Sequence, residues 1–229
     1  FPSLNFRQYE KLVDAYQSTQ GGSKVDIAVY SSPLTSYTIM DADLVYMLTR
    51  GRQRSPLTYN LTVPGTKPRD IAREAKEILK FCENLYGLFP FGTLQVAQMA
   101  PFMGYGQSPP GFVQLTGEAF MNPAAEVWVG DLLLDFSSQR MDFFHEFFSH
   151  EISHQWWGHT IAWASDEDVW LSESFAEYSA GLYVMGLLGQ DRFQAKMKEW
   201  KDNARIADPH GTIAWANNVS GQSAGRYRT

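Results

Sequence analysis

The sequence predicts an α+β fold whose strands and helices are segregated along the chain. Three observations predict it. Short runs rich in β-branched and aromatic residues, bounded by Gly and Pro, concentrate before about residue 130. Apolar residues recur at helical spacing in three long runs after about residue 138. The clearest helical run before 130, Pro68 to Tyr86, is amphipathic, as a helix covering one face of a sheet must be. The expected architecture is a mixed β-sheet lobe followed by a helical lobe.

Val25 to Tyr30 alternates weakly and follows Gly21-Gly22-Ser23, so it reads as a strand. Asp41 to Arg50 reads as a short helix, and Leu57 to Val63 as a strand ended by Pro64-Gly65. In Pro68 to Tyr86, Ile71, Ala75, Ile78, Leu79, Cys82, Leu85 and Tyr86 share a face. Pro68 near the start and Gly87 past the end give the asymmetry helices favour. Thr93 to Met99, Gly111 to Leu115 and Glu126 to Val129 read as short strands.

The next helix runs from Ser138 to Trp157, uninterrupted by Pro, with Ser137 or Ser138 as its cap and Gly158 as its end. Phe143, Phe144, Phe147, Phe148, Ile152 and Trp156 form its broad apolar stripe. Another helix holds Glu173 near its start and continues to about Leu188. The acidic run Asp166, Glu167, Asp168 before it reads as a solvated loop that primes that helix. Asp191 to Ala207 follows as a helix with Phe193, Met197 and Trp200 inward, and Asp208 to Thr229 is irregular.

Composition narrows the function classes. With 44% hydrophobic and 14% aromatic residues, the 229-residue chain can bury a substantial core. A formal net charge of −6 and the absence of any long Lys/Arg run argue against nucleic-acid binding. The densest basic patch, Arg50-Gly51-Arg52-Gln53-Arg54, reads as a solvated loop. Neither a signal segment nor a membrane span is expected. The chain starts at Phe1, which suggests excision from something longer. Cys82 is the single cysteine, so neither an internal disulfide nor a thiolate metal cage can form.

One stretch carries chemistry. His150-Glu151-Ile152-Ser153-His154 places two imidazoles one helical turn apart, on one face. Both can aim a nitrogen at one ion, with bonds of about 2.0–2.1 Å. Glu173 lies in Trp170-Leu171-Ser172-Glu173-Ser174-Phe175-Ala176-Glu177-Tyr178. A carboxylate beside Leu171 and Phe175 needs a cation. Two His and one Glu leave a fourth position for water, which is the pattern of a catalytic zinc site. Glu151, beside the ligands, can overhang that position and move protons. Taken alone, the pentapeptide is equally compatible with two core histidines bonded to carbonyls, and Glu173 tips the balance. Trp156, Trp157, Trp163 and Trp170 read as packing around this helix, and His145, His159 and His210 as non-ligands.

His150 to Tyr178 resembles the zinc aminopeptidase family of the gluzincins, which share a thermolysin-like zincin domain. The residues that carry the resemblance are the H-E-x-x-H pentapeptide, His154-Gln155-Trp156-Trp157-Gly158-His159 and Trp170-Leu171-Ser172-Glu173 at the family's separation. The resemblance implies one zinc ion held by His150, His154 and Glu173 in a cleft between the lobes, with Glu151 as general base. Glu177, one turn past Glu173, is then either an outer partner of a ligand or a solvated side chain. The implied substrate is a peptide or protein. The resemblance also implies a catalytic domain over 61–229, with its sheet part to about 130, cut short at its C-terminus. Residues 1–60 either end a preceding β-domain or belong to the sheet lobe.

The chain departs from the family pattern at three points. Ser174 stands where the family has Gly. The family's G-A-M-E-N edge strand, whose Glu holds the substrate's amine, is replaced by a stretch in which Gln107 and Ser108 are the candidate substrate contacts. Ser108 falls at the Glu position and cannot neutralise an ammonium. That stretch is either a strand able to pair with a substrate or a Pro-rich turn. Tyr227 lacks the K-G that follows the family's oxyanion tyrosine in Y-x-K-G, so it matches only with a shifted spacing, and that tyrosine is expected just beyond Thr229. Three readings therefore stand: an aminopeptidase-like hydrolase, an endopeptidase without the amine anchor, and a zincin-fold binding module without peptidase activity.

Overall fold

In the computed structural model, residues 10–17, 24–31, 34–39, 59–64, 68–99, 105–116, 119 and 140–207 are described. The strands are β1 (Glu10–Gln17), β2 (Lys24–Ser31), β3 (Leu34–Ile39), β4 (Tyr59–Pro64), β5 (Thr93–Gln98) and β6 (Phe112–Leu115). The helices are α1 (Pro68–Tyr86), α2 (Arg140–Ser153), α3 (Val169–Leu188) and α4 (Gln190–Ala207). The α+β class is the one expected. The expected helix at Asp41 to Arg50, the expected strand at Glu126 to Val129, His210 and the stretch from Asp208 onward lie outside the described residues.

Four strands form a mixed sheet in the order β1-β2-β5-β6, with β1 antiparallel to β2 and the rest parallel. β3 and β4 pair separately as an antiparallel ribbon. The period of two is visible where it matters. Val25, Ile27 and Val29 of β2, Leu94 and Val96 of β5, and Val113 and Leu115 of β6 are all buried. They meet Ile71, Ala75, Ile78, Leu79 and Cys82 of α1 in one core. Phe148, Ile152 and Trp156 extend that core from the second helix, and Tyr183 from the third.

Strands β1 and β3 were not expected. β1 (Glu10–Gln17) carries three charged residues among eight, which masks its alternation, and its strand state follows from pairing along its whole length with β2. β3 is rich in Thr, Tyr and Ile, a signal the sequence does contain.

Within α1 the expected face is buried except Tyr86, which is partly buried, and Leu85, which is half exposed. Glu83 is buried instead, because its carboxylate turns back to accept the Phe89 N–H at 3.0 Å. Gly87 takes a left-handed φ of 91° there, so the chain can leave the helix. Within α4, Met197 points outward against expectation, and Lys196 takes the inward place between Phe193 and Trp200.

The Cys82 thiol is fully buried, 3.7 Å from the Ser153 hydroxyl. Burial pushes it up to about 12, well above an ordinary thiol. Because the folded value is the raised one, the neutral thiol persists at pH 8–9, where an unfolded cysteine ionises. Iodoacetamide at pH 8.5 is therefore expected to leave Cys82 unmodified in the native protein and to alkylate it fully in denaturant. Mass spectrometry of the intact chain reads the difference.

Candidate metal centre

The second helix is shorter than its sequence pattern. Its α-helical part ends at Ser153, and the chain tightens into turns through Trp156, with Gln155 N–H donating to Ile152 O at 3.0 Å. His154 still keeps the helical bond to His150 O, at 3.3 Å. The reason for the early end lies in Gly158, whose φ of 122° few other residues adopt. The reversal there brings the Trp157 carbonyl back to His154, where it accepts a hydrogen bond from Nδ1 at 3.0 Å. A side chain at 158 would meet Ser172 Oγ at 2.7 Å, so the turn also packs directly on α3.

These elements bring His150, His154 and Glu173 together. The two Nε2 atoms are 3.1 Å apart, and Glu173 Oε2 lies 3.4 Å from the first and 3.5 Å from the second. A tetrahedral ion with bonds of about 2.0–2.1 Å holds its ligands about 3.3–3.4 Å apart. The donor triangle has that size.

The protons on the rings support the same reading. A carbonyl can only accept, so His154 Nδ1 carries a hydrogen and the Nε2 of the neutral ring is a bare lone pair. His150 Nδ1 faces Glu177 Oε2 at 3.1 Å, which favours the same tautomer. Two lone pairs and a carboxylate oxygen then converge on one point, an arrangement that repels itself unless a cation sits among them. Without a metal, a proton must serve. Burial opposes charge on His150, but hydrogen bonds to Glu173 and Glu177 outweigh it and push the imidazole up to about 10. Burial likewise opposes charge on Glu173 and Glu177. Hydrogen bonds from His150 and His154 hold Glu173 well below the carboxylate range, and His150 holds Glu177 down to about 2. Among the described residues these three are the only ones whose groups could hold a metal ion in this way.

Glu151 sits on the sheet side of the cluster. Gln107 forms a single antiparallel bridge with Gln114 of β6, the two exchanging both backbone bonds at 3.0 and 2.7 Å. A turn follows, closed by Phe112 N–H to Pro109 O at 2.9 Å, with Gly111 at a φ of 69°. The stretch is thus a Pro-rich turn preceded by a single bridge to the edge of the sheet. Ser108 Oγ donates to Glu151 Oε2 at 2.8 Å and lies 2.6 Å from the Glu151 carbonyl. A Cβ on Gly106 would stand 2.1 Å from Glu151 Oε1, so only a residue without a side chain lets this carboxylate lie against the strand. Burial raises the Glu151 carboxyl, with His150, His154 and Ser108 working the other way. Gln107 offers backbone bonds to β6, and its side chain is exposed.

Two residues that sequence reasoning passed over hold this edge. Gln155 accepts the Gly111 N–H at 2.7 Å and donates to Pro109 O at 3.2 Å. His159 Nε2 makes a short contact with Ser108 O. Both lie in the same run as His154, so proximity in sequence was their signal. Ser172, one residue before Glu173, bonds Trp157 O at 2.7 Å and His154 Nδ1 at 3.2 Å. His145 contacts Glu74 at 2.6 Å, away from the donor triangle. Of the tryptophans, Trp156 packs in the core against Phe89, and Trp157 stacks on Phe175 at 4.6 Å. Trp163 departs from the expected packing: it is 42% exposed, because the loop after Gly158 carries it along the surface.

Known proteins share this fold. A two-domain M1 zinc metallopeptidase, crystallised as a mutant with L-tryptophan bound, superposes with a TM-score of 0.51 over 86% of this chain, at 18% identity. Aminopeptidase A from Legionella pneumophila, in complex with aspartic acid, superposes with a TM-score of 0.51 over 80% of this chain, at 16% identity. The chain spans 33% of the first of these proteins and 17% of the second. The family model for the peptidase family M1 domain matches residues 120–210. The matched segment contains the helices that bear His150, His154 and Glu173, and the chain shares the fold of the M1 zinc metallopeptidases.

Proposed function

We propose that this chain is the catalytic region of a zinc peptidase, with His150, His154 and Glu173 as the metal ligands and Glu151 as general base. The observation that carries the reading is the donor triangle of 3.1, 3.4 and 3.5 Å with both histidine Nδ1 atoms already engaged. A zinc ion bound there would supply Lewis acidity toward a peptide carbonyl and make a water acidic near pH 7. Glu151 accepts the proton of the attacking water and returns it to the departing amine. Its burial strengthens it as a base, and Ser108 fixes the rotamer in which it waits. Gln155, through Gly111, and His159, through Ser108 O, hold the edge segment against that base. Glu177 keeps His150 in the tautomer that presents Nε2.

Ser108 brings a second reading of substrate choice. The edge residue beside the base is a hydroxyl that is itself bonded to Glu151, and it offers no charge to an amino terminus. Cleavage then extends to peptides whose amino end is blocked. Matched free and N-acetylated peptides, with mass spectrometry of the products, test both points. The expected result is cleavage of both, lost with 1,10-phenanthroline and restored by zinc. Cleavage indifferent to chelation would defeat the zinc mechanism, and a zinc-replete protein that cuts neither peptide would defeat the peptidase reading in favour of a zincin-fold binding module. Strict dependence on a free amine would defeat the reading of Ser108 alone.

A further inference from the structure

Helix α4 supplies no ligand, yet its side chains reach the group that backs one. The Glu177 carboxylate is divided between two jobs. Oε2 faces His150 Nδ1 at 3.1 Å, and Oε1 accepts a hydrogen bond from Trp200 Nε1 at 3.0 Å. Lys196 Nζ lies 3.5 Å from the same Oε1. It also contacts Glu146 on α2 at short range and Glu199 on its own helix at 3.4 Å, and it stands 5.9 Å from the centre of the Trp200 ring. One ammonium thus faces carboxylates from α2, α3 and α4. Its side chain is only 14% exposed, so its charge is poorly screened.

The indole is held in place from behind. Gly181 lies one turn past Glu177 on α3, and a Cβ there would stand 2.6 Å from Trp200 Cη2. The close approach of the two helices at a glycine is what lets Trp200 turn its N–H to Glu177. A carboxylate free to rotate would satisfy either His150 or solvent. Bonded at Oε1, it has one orientation left, with Oε2 toward the imidazole.

Building on the metal-centre reading, we propose that Lys196 and Trp200 are positioning residues for the metal site, acting through Glu177 to hold His150 in its ligating orientation. Loss of an outer partner of a ligating histidine typically weakens metal binding 10–100-fold. These two residues stand one contact further out, so about the lower end of that range applies to each.

The test is zinc affinity, measured by chelator competition on the wild-type protein and on Lys196→Met, Lys196→Arg, Trp200→Phe and the exposed control Lys198→Met. Thermal unfolding of the metal-free forms is followed in parallel. Lys196→Met and Trp200→Phe are each expected to bind zinc about tenfold more weakly. Lys196→Arg, which keeps the charge, is expected to recover most of that loss, and Lys198→Met to match wild type. Wild-type affinity in both Lys196→Met and Trp200→Phe would overturn the inference while leaving the metal centre intact. So would a loss of affinity that Lys196→Arg fails to recover and that tracks a lowered melting point of the metal-free form. A wild-type protein that takes up no zinc would overturn the metal-centre reading itself, and this inference with it.

Discussion

Glu151→Gln is expected to retain about one zinc per chain and to lose hydrolysis, with kcat falling about 10²–10⁴-fold. The substitution keeps the shape of the side chain and removes its basicity. Retention of metal follows from geometry, because Glu151 is not one of the three groups in the donor triangle. Retention of the local fold follows from its neighbours. Ser108 Oγ can still donate to the amide oxygen, and the side chain still lies against Gly106. What disappears is the proton acceptor. A carboxyl that burial makes more basic than usual is suited to take a proton from water near neutral pH, and an amide cannot. Zinc content by elemental analysis and peptide cleavage under saturating substrate give the two numbers. Activity within a few-fold of wild type would remove Glu151 from the mechanism and point to a different base.

The three ligand candidates were legible because their constraint is local. His150 and His154 are one turn apart on a helix, and that spacing alone fixes that they share a face. Glu173 sits on a neighbouring helix, and its apolar setting beside Leu171 and Phe175, together with the resemblance, linked it to the pair. The edge segment at 105–111 was half legible. Pro109-Pro110-Gly111 announces a turn, but the bond from Ser108 to Glu151 depends on a contact across 43 residues, which no periodicity encodes. Gly106 shows the same limit. Its importance is an absence of volume beside a carboxylate, visible only when both are placed. Glu177 is one turn past Glu173, so either a solvated or an inward role fitted its spacing. The structure buries it between His150 and Trp200. Lys196 was the hardest to foresee. Helical patterning assigns a lysine to the solvent side, and it gave Met197 the inward place. Two carboxylates from other helices draw the lysine in and turn the methionine out.

His154→Ala is expected to abolish zinc uptake while leaving the metal-free fold nearly unchanged. Two donors, His150 and Glu173, would remain, and a catalytic zinc site requires three protein ligands. The loss should exceed the 10–100-fold that removal of an outer partner costs. The fold survives because the groups that His154 engages have other partners. Trp157 O still accepts from Ser172 Oγ at 2.7 Å, and the Gly158 and Ile161 N–H groups keep their backbone bonds at 2.9 and 2.8 Å. The substitution also relieves a crowded arrangement, since it removes one of the donors that face each other in the absence of metal. A ligand that binds only the native state raises stability by RT ln(1 + [L]/Kd). The wild-type melting temperature should therefore climb with added zinc, and that of His154→Ala should stay flat. The two proteins should melt within a few degrees of each other in chelator. Equal zinc-dependent stabilisation of both would mean that the ion binds elsewhere, and the donor triangle would be no metal centre at all.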